Sequence, residues 1–144
     1  MPSIELPGNL RQTLLDLARR GVPNEVCGYL AGLRGDSLRV REVYGVQNAL
    51  LSPTAFALDG QSMIDAERQI EEDGLELLGV FHSHPTSPAV PSPRDRGDAG
   101  SYDPFGYLAH LIVSLARDEP EVRAWSYGTD GQSMELDIID ETVK

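Results

Sequence analysis

The sequence of 144 residues contains one cysteine, Cys27, and no apolar run close to the ~18 residues needed to cross a membrane. A single cysteine cannot form a disulfide within the chain, and disulfides belong to oxidising compartments. The first ten residues, MPSIELPGNL, lack the basic and apolar regions of a secretory signal peptide. We therefore expect a cytoplasmic protein that does not associate with membranes.

Basic residues are also scarce, since 12 lysines and arginines stand against 23 aspartates and glutamates. The resulting formal net charge of −11 disfavours nucleic acid as a partner, because phosphate binding needs clustered Lys and Arg side chains. Hydrophobic residues make up 40% and charged residues 24% of the chain, which is typical of a soluble globular protein. No repeat or linker divides the sequence, so we expect one domain over residues 1–144.

The apolar spacing predicts two helices, at residues 10–19 and from about Asp59 to Glu72, and a short third helix that begins near Ser92. The remaining apolar or alternating segments predict strands, at residues 26–33, 38–46, 75–84, 107–115, 121–128 and 132–139. This order favours a mixed α+β structure in which helices flank a central sheet.

The segment FHSHPTSPAVPSPRD, residues 81–95, contains the candidate metal-binding residues. On a strand, His82 and His84 point to the same face, and two imidazoles at a rigid strand end are good zinc ligands. The proline-rich loop that follows can fold back, so that Asp95 supplies a carboxylate as the third ligand. A catalytic zinc keeps its fourth position for water.

A histidine pair is weak evidence by itself, because short motifs often occur by chance or on a surface. Here the pair ends an apolar strand, Ser92 and Asp95 follow at defined spacing, and Glu25 adjoins another apolar strand. The set as a whole indicates a metal site.

The pattern also resembles a known family motif. His82-Ser83-His84, seven residues, Ser92, two residues and Asp95, preceded by Glu25, resembles the JAMM (MPN+) metalloprotease motif E…H-[ST]-H-x7-S-x2-D. All five positions are present without gaps. The segment PNEVCGYLAG and the run of Asn48, Ser52-Pro53, Phe56 and Asp59 are similar to compact bacterial members. Those members include the peptidase that removes cysteine from a sulfur-carrier protein.

The resemblance implies an α/β sandwich related to cytidine deaminases, although the deaminase zinc pattern with its paired cysteines is absent. It implies that His82, His84 and Asp95 bind one zinc ion and that Glu25 takes a proton from zinc-bound water and passes it to the leaving amine. Ser92 would stabilise the oxyanion, while a helix N-cap is the alternative role for its hydroxyl group.

The resemblance further implies a substrate, the bond after the C-terminal Gly-Gly tail of a ubiquitin-like or sulfur-carrier protein. Residues 48–58 are the candidate edge of the groove for that tail. Removal of a C-terminal cysteine and cleavage of whole-protein conjugates both stay open, as does the oligomeric state in a family that includes homodimers. Three rival hypotheses are a non-catalytic MPN scaffold, a zinc hydrolase of small amides, and a binding domain whose histidines are accidental.

Several other residues are interpreted as structural. Ser83 points away from the ligands, Asp98 is a solvated carboxylate, and His110 is a half-buried strand residue. Cys27 is a small buried residue, with oxidation or metal coordination as its alternative. Trp125 and Tyr127 alternate along a strand and are expected to pack.

Overall fold

The computed structural model describes residues 3–141, which form three helices and eight strands. In chain order these are β1 (Ile4–Pro7), α1 (Gly8–Gly21), β2 (Cys27–Arg34), β3 (Leu38–Val46), α2 (Gly60–Glu72), β4 (Glu76–His84), α3 (Pro93–Tyr102), β5 (Ala109–Ser114), β6 (Glu121–Tyr127), β7 (Ser133–Leu136) and β8 (Ile138–Glu141). No helix within residues 3–141 is long and apolar enough to cross a membrane.

All eight strands belong to one mixed sheet with the order β7-β6-β5-β4-β2-β3-β1-β8. β4 lies near its centre, antiparallel to β2 and parallel to β5. Only Asp137 separates β7 from β8, although these strands pair at opposite ends of that order. The two edges of the sheet must therefore approach each other, and the sheet curls partly upon itself.

The predicted mixed α+β architecture is confirmed. The three predicted helices and the predicted strands that correspond to β2, β3, β4, β5 and β6 are also present. Two expectations about strands were wrong. The segment 132–139 is not one strand, because the chain leaves β6 after Leu136 and pairs with β1 from Ile138 onward. β1 itself was not predicted, since its four residues are extended through pairing with β3 and β8, which lie far away in the sequence.

The core is divided between the two faces of the sheet. α1 packs its buried face, Leu10, Leu14, Leu15 and Ala18, against one face, where Phe81 and Leu111 also lie. α2 covers the other face with Ala66 and Ile70. α3 lies over the same face as α2, above a smaller cluster that contains Ile112, Trp125 and Tyr127. From Val80 to His84, successive residues of β4 thus alternate between the α1 core and the α2–α3 side.

Gly28 in β2 lets the backbone of β3 and the ring of Phe81 in β4 pack closely against β2. A Cβ atom on Gly28 would collide with the backbone oxygen of Tyr44 and with the ring of Phe81. Its cross-strand partner Gly45 differs, because a Cβ atom there would have nothing within 4 Å. The two glycines therefore form a matched pair for testing the packing.

We expect Gly28→Ala to lower the free energy of unfolding by about 1–3 kcal/mol, because backbone or ring must shift to admit the methyl group. Gly45→Ala should change it by less than about 0.5 kcal/mol. Urea denaturation of both variants measures the difference. Equal stabilities of the two variants would contradict the close packing of β2 against β3 and β4.

Candidate metal centre

His82 and His84 stand at the end of β4, on the sheet face that α2 and α3 cover. Both side chains are buried, at about 3% exposure. His82 pairs with Cys27 of β2 and with Ile112 of β5, so it lies between two neighbouring strands. Its ring stacks on Phe56 with centroids 4.5 Å apart and an interplanar angle of 23°. The orientation of His82 is therefore set by its surroundings as well as by its own strand.

Asp95 reaches the histidines from the first turn of α3. Ser92 is the N-cap of this helix, and Pro93 follows at the first helical position. The Ser92 hydroxyl accepts a hydrogen bond from the Asp95 N–H at 3.0 Å, while the Ser92 N–H donates to Asp95 Oδ2 at 2.9 Å. This capping box holds the Asp95 carboxylate against the helix N-terminus, which favours its negative charge.

Three ligand atoms converge at this point. His82 Nε2 and His84 Nε2 lie 3.0 Å apart, and Asp95 Oδ2 lies 3.2 Å from the first and 3.0 Å from the second. Tetrahedral zinc with bonds of 2.0–2.1 Å would separate its ligand atoms by about 3.3 Å. Within residues 3–141, no second group of three His, Cys, Asp or Glu side chains gathers its ligand atoms in this way.

The tautomer of His84 supports the same interpretation. Its Nδ1 lies 2.7 Å from the Pro88 carbonyl oxygen, which can only accept, so Nδ1 carries the proton. In the neutral ring, Nε2 then presents a lone pair toward His82 and the Asp95 carboxylate. Facing lone pairs repel each other unless a proton or a cation lies between them, so the group is positioned to bind a metal ion.

The electrostatic environment keeps two of these groups in the protonation state that metal binding needs. Burial alone raises the pKa of Asp95, but its hydrogen bonds with His82 and His84 outweigh burial and hold that pKa well below its usual range. Burial lowers the pKa of His82. An ionised carboxylate and a neutral imidazole are the forms that bind a metal.

Glu25 lies two residues before the start of β2 at Cys27, and the residue is only 4% exposed. Its Oε1 atom has no hydrogen-bond partner among residues 3–141. Burial raises the pKa of Glu25 to about 7, and the charges of His84 and Asp95 also act on it. A carboxyl group with this pKa can both take and release a proton near neutral pH.

Ser83 joins the end of β4 to Val26, the residue just before β2. Its hydroxyl accepts a hydrogen bond from the Val26 N–H at 2.8 Å, and its own N–H donates to the Val26 carbonyl at 3.0 Å. The structural interpretation of Ser83 agrees with this contact. Because Val26 directly follows Glu25, the contact also sets the distance between Glu25 and the two histidines.

The sequence alone did not reveal how the loop between β4 and α3 is held. Trp125 donates from its indole N–H to the Ala89 carbonyl at 3.0 Å, and the Ser114 hydroxyl donates to the Ser87 carbonyl at 2.6 Å. Together they fix the loop on both sides of Pro88, which accepts from His84. The general need of a buried indole N–H for an acceptor was the one available signal.

The other residues considered from the sequence lie outside the three-ligand group. Asp98 is solvent-accessible and pairs with Arg94 on α3, at 3.2 Å. Cys27 is buried, and its thiol donates to the Val46 carbonyl at 3.3 Å. The expectation that His110 is half buried was wrong, since it is fully buried. Its Nε2 donates to the buried carboxylate of Asp103 at 2.8 Å, which satisfies the ring in the interior. Trp125 and Tyr127 pack under α3, as expected.

A groove lies between the segment that follows β3 and helix α3. Its volume is about 330 Å³, and residues from both sides line it, among them Leu50, Phe56, Leu58, Arg94 and Tyr102. Phe56, which lines the groove, also stacks on the ring of His82, so the groove lies beside the candidate ligands. The segment 48–58 therefore forms one wall of a groove at the site.

Comparison with known proteins agrees with this geometry. The family described as prokaryotic homologs of the JAB domain matches residues 7–128. A desampylase of Pyrococcus furiosus is 31% identical over 117 residues, which cover 81% of this chain and 76% of that protein. The CysO-cysteine peptidase of Mycobacterium tuberculosis is 33% identical over 110 residues, 76% of this chain and 71% of the peptidase.

A third similar protein, from Thermus thermophilus, is named "Probable TtuB-protein conjugate cleaving protease". It is 40% identical over 93 residues, which cover 64% of this chain and 60% of that protein.

Solved structures share the fold. The solution structure of a Desulfitobacterium hafniense protein has a TM-score of 0.87 at 37% identity, covering 97% of this chain and 94% of the other. A JAB1/MPN domain protein of Archaeoglobus fulgidus has a TM-score of 0.56 at 20% identity, covering 95% of this chain and 98% of the other. The MPN fold expected from the motif is thereby confirmed, and the chain belongs to the family of prokaryotic homologs of the JAB domain.

Proposed function

We propose that this protein is a zinc-dependent peptidase that hydrolyses the bond after the C-terminal Gly-Gly tail of a ubiquitin-like or sulfur-carrier protein. The observation that carries the proposal is the convergence of His82, His84 and Asp95 beside the buried Glu25, whose Oε1 has no hydrogen-bond partner in the described part of the chain. The names of the similar proteins support hydrolysis of such substrates.

In this proposal, His82 and His84 bind one zinc ion through Nε2 and Asp95 binds it through Oδ2. When bound by three protein ligands, zinc supplies a site for water and lowers the pKa of that water to about 7. Two imidazoles and one carboxylate suit zinc better than they suit Mg²⁺ or Ca²⁺, which prefer oxygen ligands.

Glu25 takes a proton from the attacking water and passes it to the leaving amine. Its pKa of about 7 suits both halves of this transfer near neutral pH. Ser92 donates a hydrogen bond from its hydroxyl group to the developing oxyanion. The capping bond with Asp95 N–H uses an acceptor lone pair of Ser92 Oγ, so the hydroxyl proton stays available and both roles of Ser92 are compatible.

The Gly-Gly tail lies in the groove between residues 48–58 and α3, beside the candidate ligands, where residues without side chains can extend along the wall. An extended tail can add main-chain hydrogen bonds to such an edge. The names of the similar proteins include one for conjugate cleavage and one for removal of cysteine, so both linkages are candidates. The enzyme recognises the tail, which both linkages share.

We expect zinc-loaded protein to cleave a Gly-Gly-tailed sulfur-carrier protein that bears either a C-terminal cysteine or a lysine-linked protein. Glu25→Gln should reduce the rate by about 10²-fold or more, because general acid–base catalysis contributes at least that much. Glu72→Gln is the control, since Glu72 is exposed at the end of α2. Intact mass spectrometry measures the product and identifies the preferred linkage.

Failure to cleave either substrate, with zinc bound at one ion per chain, would favour a hydrolase of small amides. Absence of bound zinc together with absence of cleavage would favour a non-catalytic scaffold.

The metal assignment has its own test. Asp95→Asn should weaken zinc binding by more than about 100-fold, since loss of a ligand exceeds the 10- to 100-fold effect of an outer hydrogen-bond partner. Asp98→Asn, on the same helix but solvent-accessible, should leave the affinity unchanged. Competition against a zinc-binding dye measures both constants. Equal affinities in the two variants would refute the proposed ligand set.

Glu25 should also affect stability in the metal-free protein. Because burial raises its pKa from 4.5 to about 7, its ionised form destabilises the fold increasingly as the pH rises from 4.5 to 7. Glu25→Gln should therefore be more stable than the wild type by about 1–3 kcal/mol at pH 8, and the difference should vanish near pH 4.5. Urea denaturation across this range tests the expectation, and a difference independent of pH would contradict it.

A further inference from the structure

The segment between β3 and α2 is a compact loop, residues 47–59. Its two ends are joined by hydrogen bonds from the Ala49 N–H to the Ala57 carbonyl at 2.8 Å and from the Asp59 N–H to the Gln47 carbonyl at 3.0 Å. Between them, Asn48 and Leu58 form an isolated antiparallel bridge. The loop is thus closed at its base, and its interior must be filled by side chains of its own.

The side chain of Asn48 fills that interior and satisfies all its hydrogen-bonding capacity. Nδ2 donates to the Glu25 carbonyl at 3.0 Å and to the Ala55 carbonyl at 3.1 Å. Oδ1 accepts from the Leu50 N–H at 3.0 Å and from the Ala57 N–H at 3.1 Å. A carboxamide has two donor hydrogens and two acceptor lone pairs, and Asn48, only 7% exposed, uses all four.

One of these bonds leads directly to the proposed catalytic residue. Asn48 binds the backbone carbonyl of Glu25, and the Glu25 N–H donates to the Ser52 carbonyl of the same loop at 2.8 Å. Both backbone polar groups of Glu25 are therefore held by the loop. Among residues 3–141, the Glu25 side chain has no hydrogen-bond partner for Oε1, so its position depends on how firmly the backbone is held.

The same loop contacts the site at two further places. Phe56 stacks on the metal-ligand candidate His82, and Leu50, Phe56 and Leu58 line the groove. Displacement of the loop would thus disturb Glu25, His82 and the wall of the groove together. No isosteric residue replaces Asn48, because aspartate lacks the two donors and leucine lacks all four groups.

We infer that Asn48 is a positioning residue for Glu25, whose carboxamide holds the backbone of Glu25 and the groove-forming loop in one fixed arrangement. This inference rests on the proposed function only for its catalytic consequence, since the hydrogen bonds themselves can be measured without a substrate. A misplacement of catalytic groups by about 1 Å can lower a rate by about 10²-fold.

The test uses Asn48→Asp, which keeps the shape and both acceptors but loses both donors. In zinc-loaded protein with whichever Gly-Gly substrate is cleaved, kcat should fall by about 10- to 100-fold. The zinc content should stay at one ion per chain. Ser62→Ala is the matched control, because the Ser62 hydroxyl accepts from Gln47 N–H of the same loop without contacting Glu25. We expect its kcat to change by less than about 2-fold, as for a partly exposed residue outside the site.

A double mutant separates positioning from general destabilisation. If Asn48 acts through Glu25, Asn48→Asp should cause no further loss of kcat in the Glu25→Gln background. An undiminished loss in that background, or an unchanged kcat in the single variant, would overturn the inference.

Amide hydrogen exchange provides a readout that does not depend on activity. In Asn48→Ala, protection should be lost together at the N–H groups of Glu25, Leu50 and Ala57, while β5 stays protected. If the wild type cleaves no substrate, the proposed function fails and this experiment still decides the positioning. Unchanged protection at Glu25 would overturn it.

Discussion

The antiparallel pairing of β2 with β4 is the contact on which the rest of the site depends. It sets Cys27 opposite His82 and joins Val26 to Ser83 by two hydrogen bonds, so that Glu25 comes to lie beside the histidines. A shift of one residue in β4 would turn both imidazoles into the α1 core. Phe81, buried among the α1 residues on the opposite face, opposes such a shift.

This arrangement conflicts with what the fold alone would favour. Three polar ligand atoms converge within 3.2 Å of one another, and the buried Glu25 Oε1 lacks a partner within residues 3–141. Unpaired buried polar groups destabilise a fold, and they persist where a function requires them. The capping box of Asp95 offsets part of this effect, because the same carboxylate oxygen that faces the histidines also accepts from the Ser92 N–H.

The two loops at the site are both held by hydrogen bonds from buried polar side chains. Loops have no ladder of backbone hydrogen bonds, so side chains must satisfy their polar groups when they are buried. Trp125 and Ser114 do this for the loop that carries Pro88, and Asn48 does it for the loop that carries Phe56. The first loop contacts the site through the Pro88 carbonyl and the His84 ring, and the second contacts it through Asn48 and the Glu25 carbonyl.

The sequence by itself determined the helices, the central strands and the convergence of His82, His84 and Asp95, because these follow from local periodicity and from a motif with short spacing. Strand alternation relates His82 to His84, and Ser92-Pro93 starts the helix that carries Asp95. The tertiary structure alone decided the strand β1 and the division of 132–139 into two strands, since their partners lie far apart in the chain, as Ile4 and Ile138 do. It also decided the roles of Asn48, Ser114 and Trp125, because a hydrogen bond between distant residues leaves no periodic trace in the sequence.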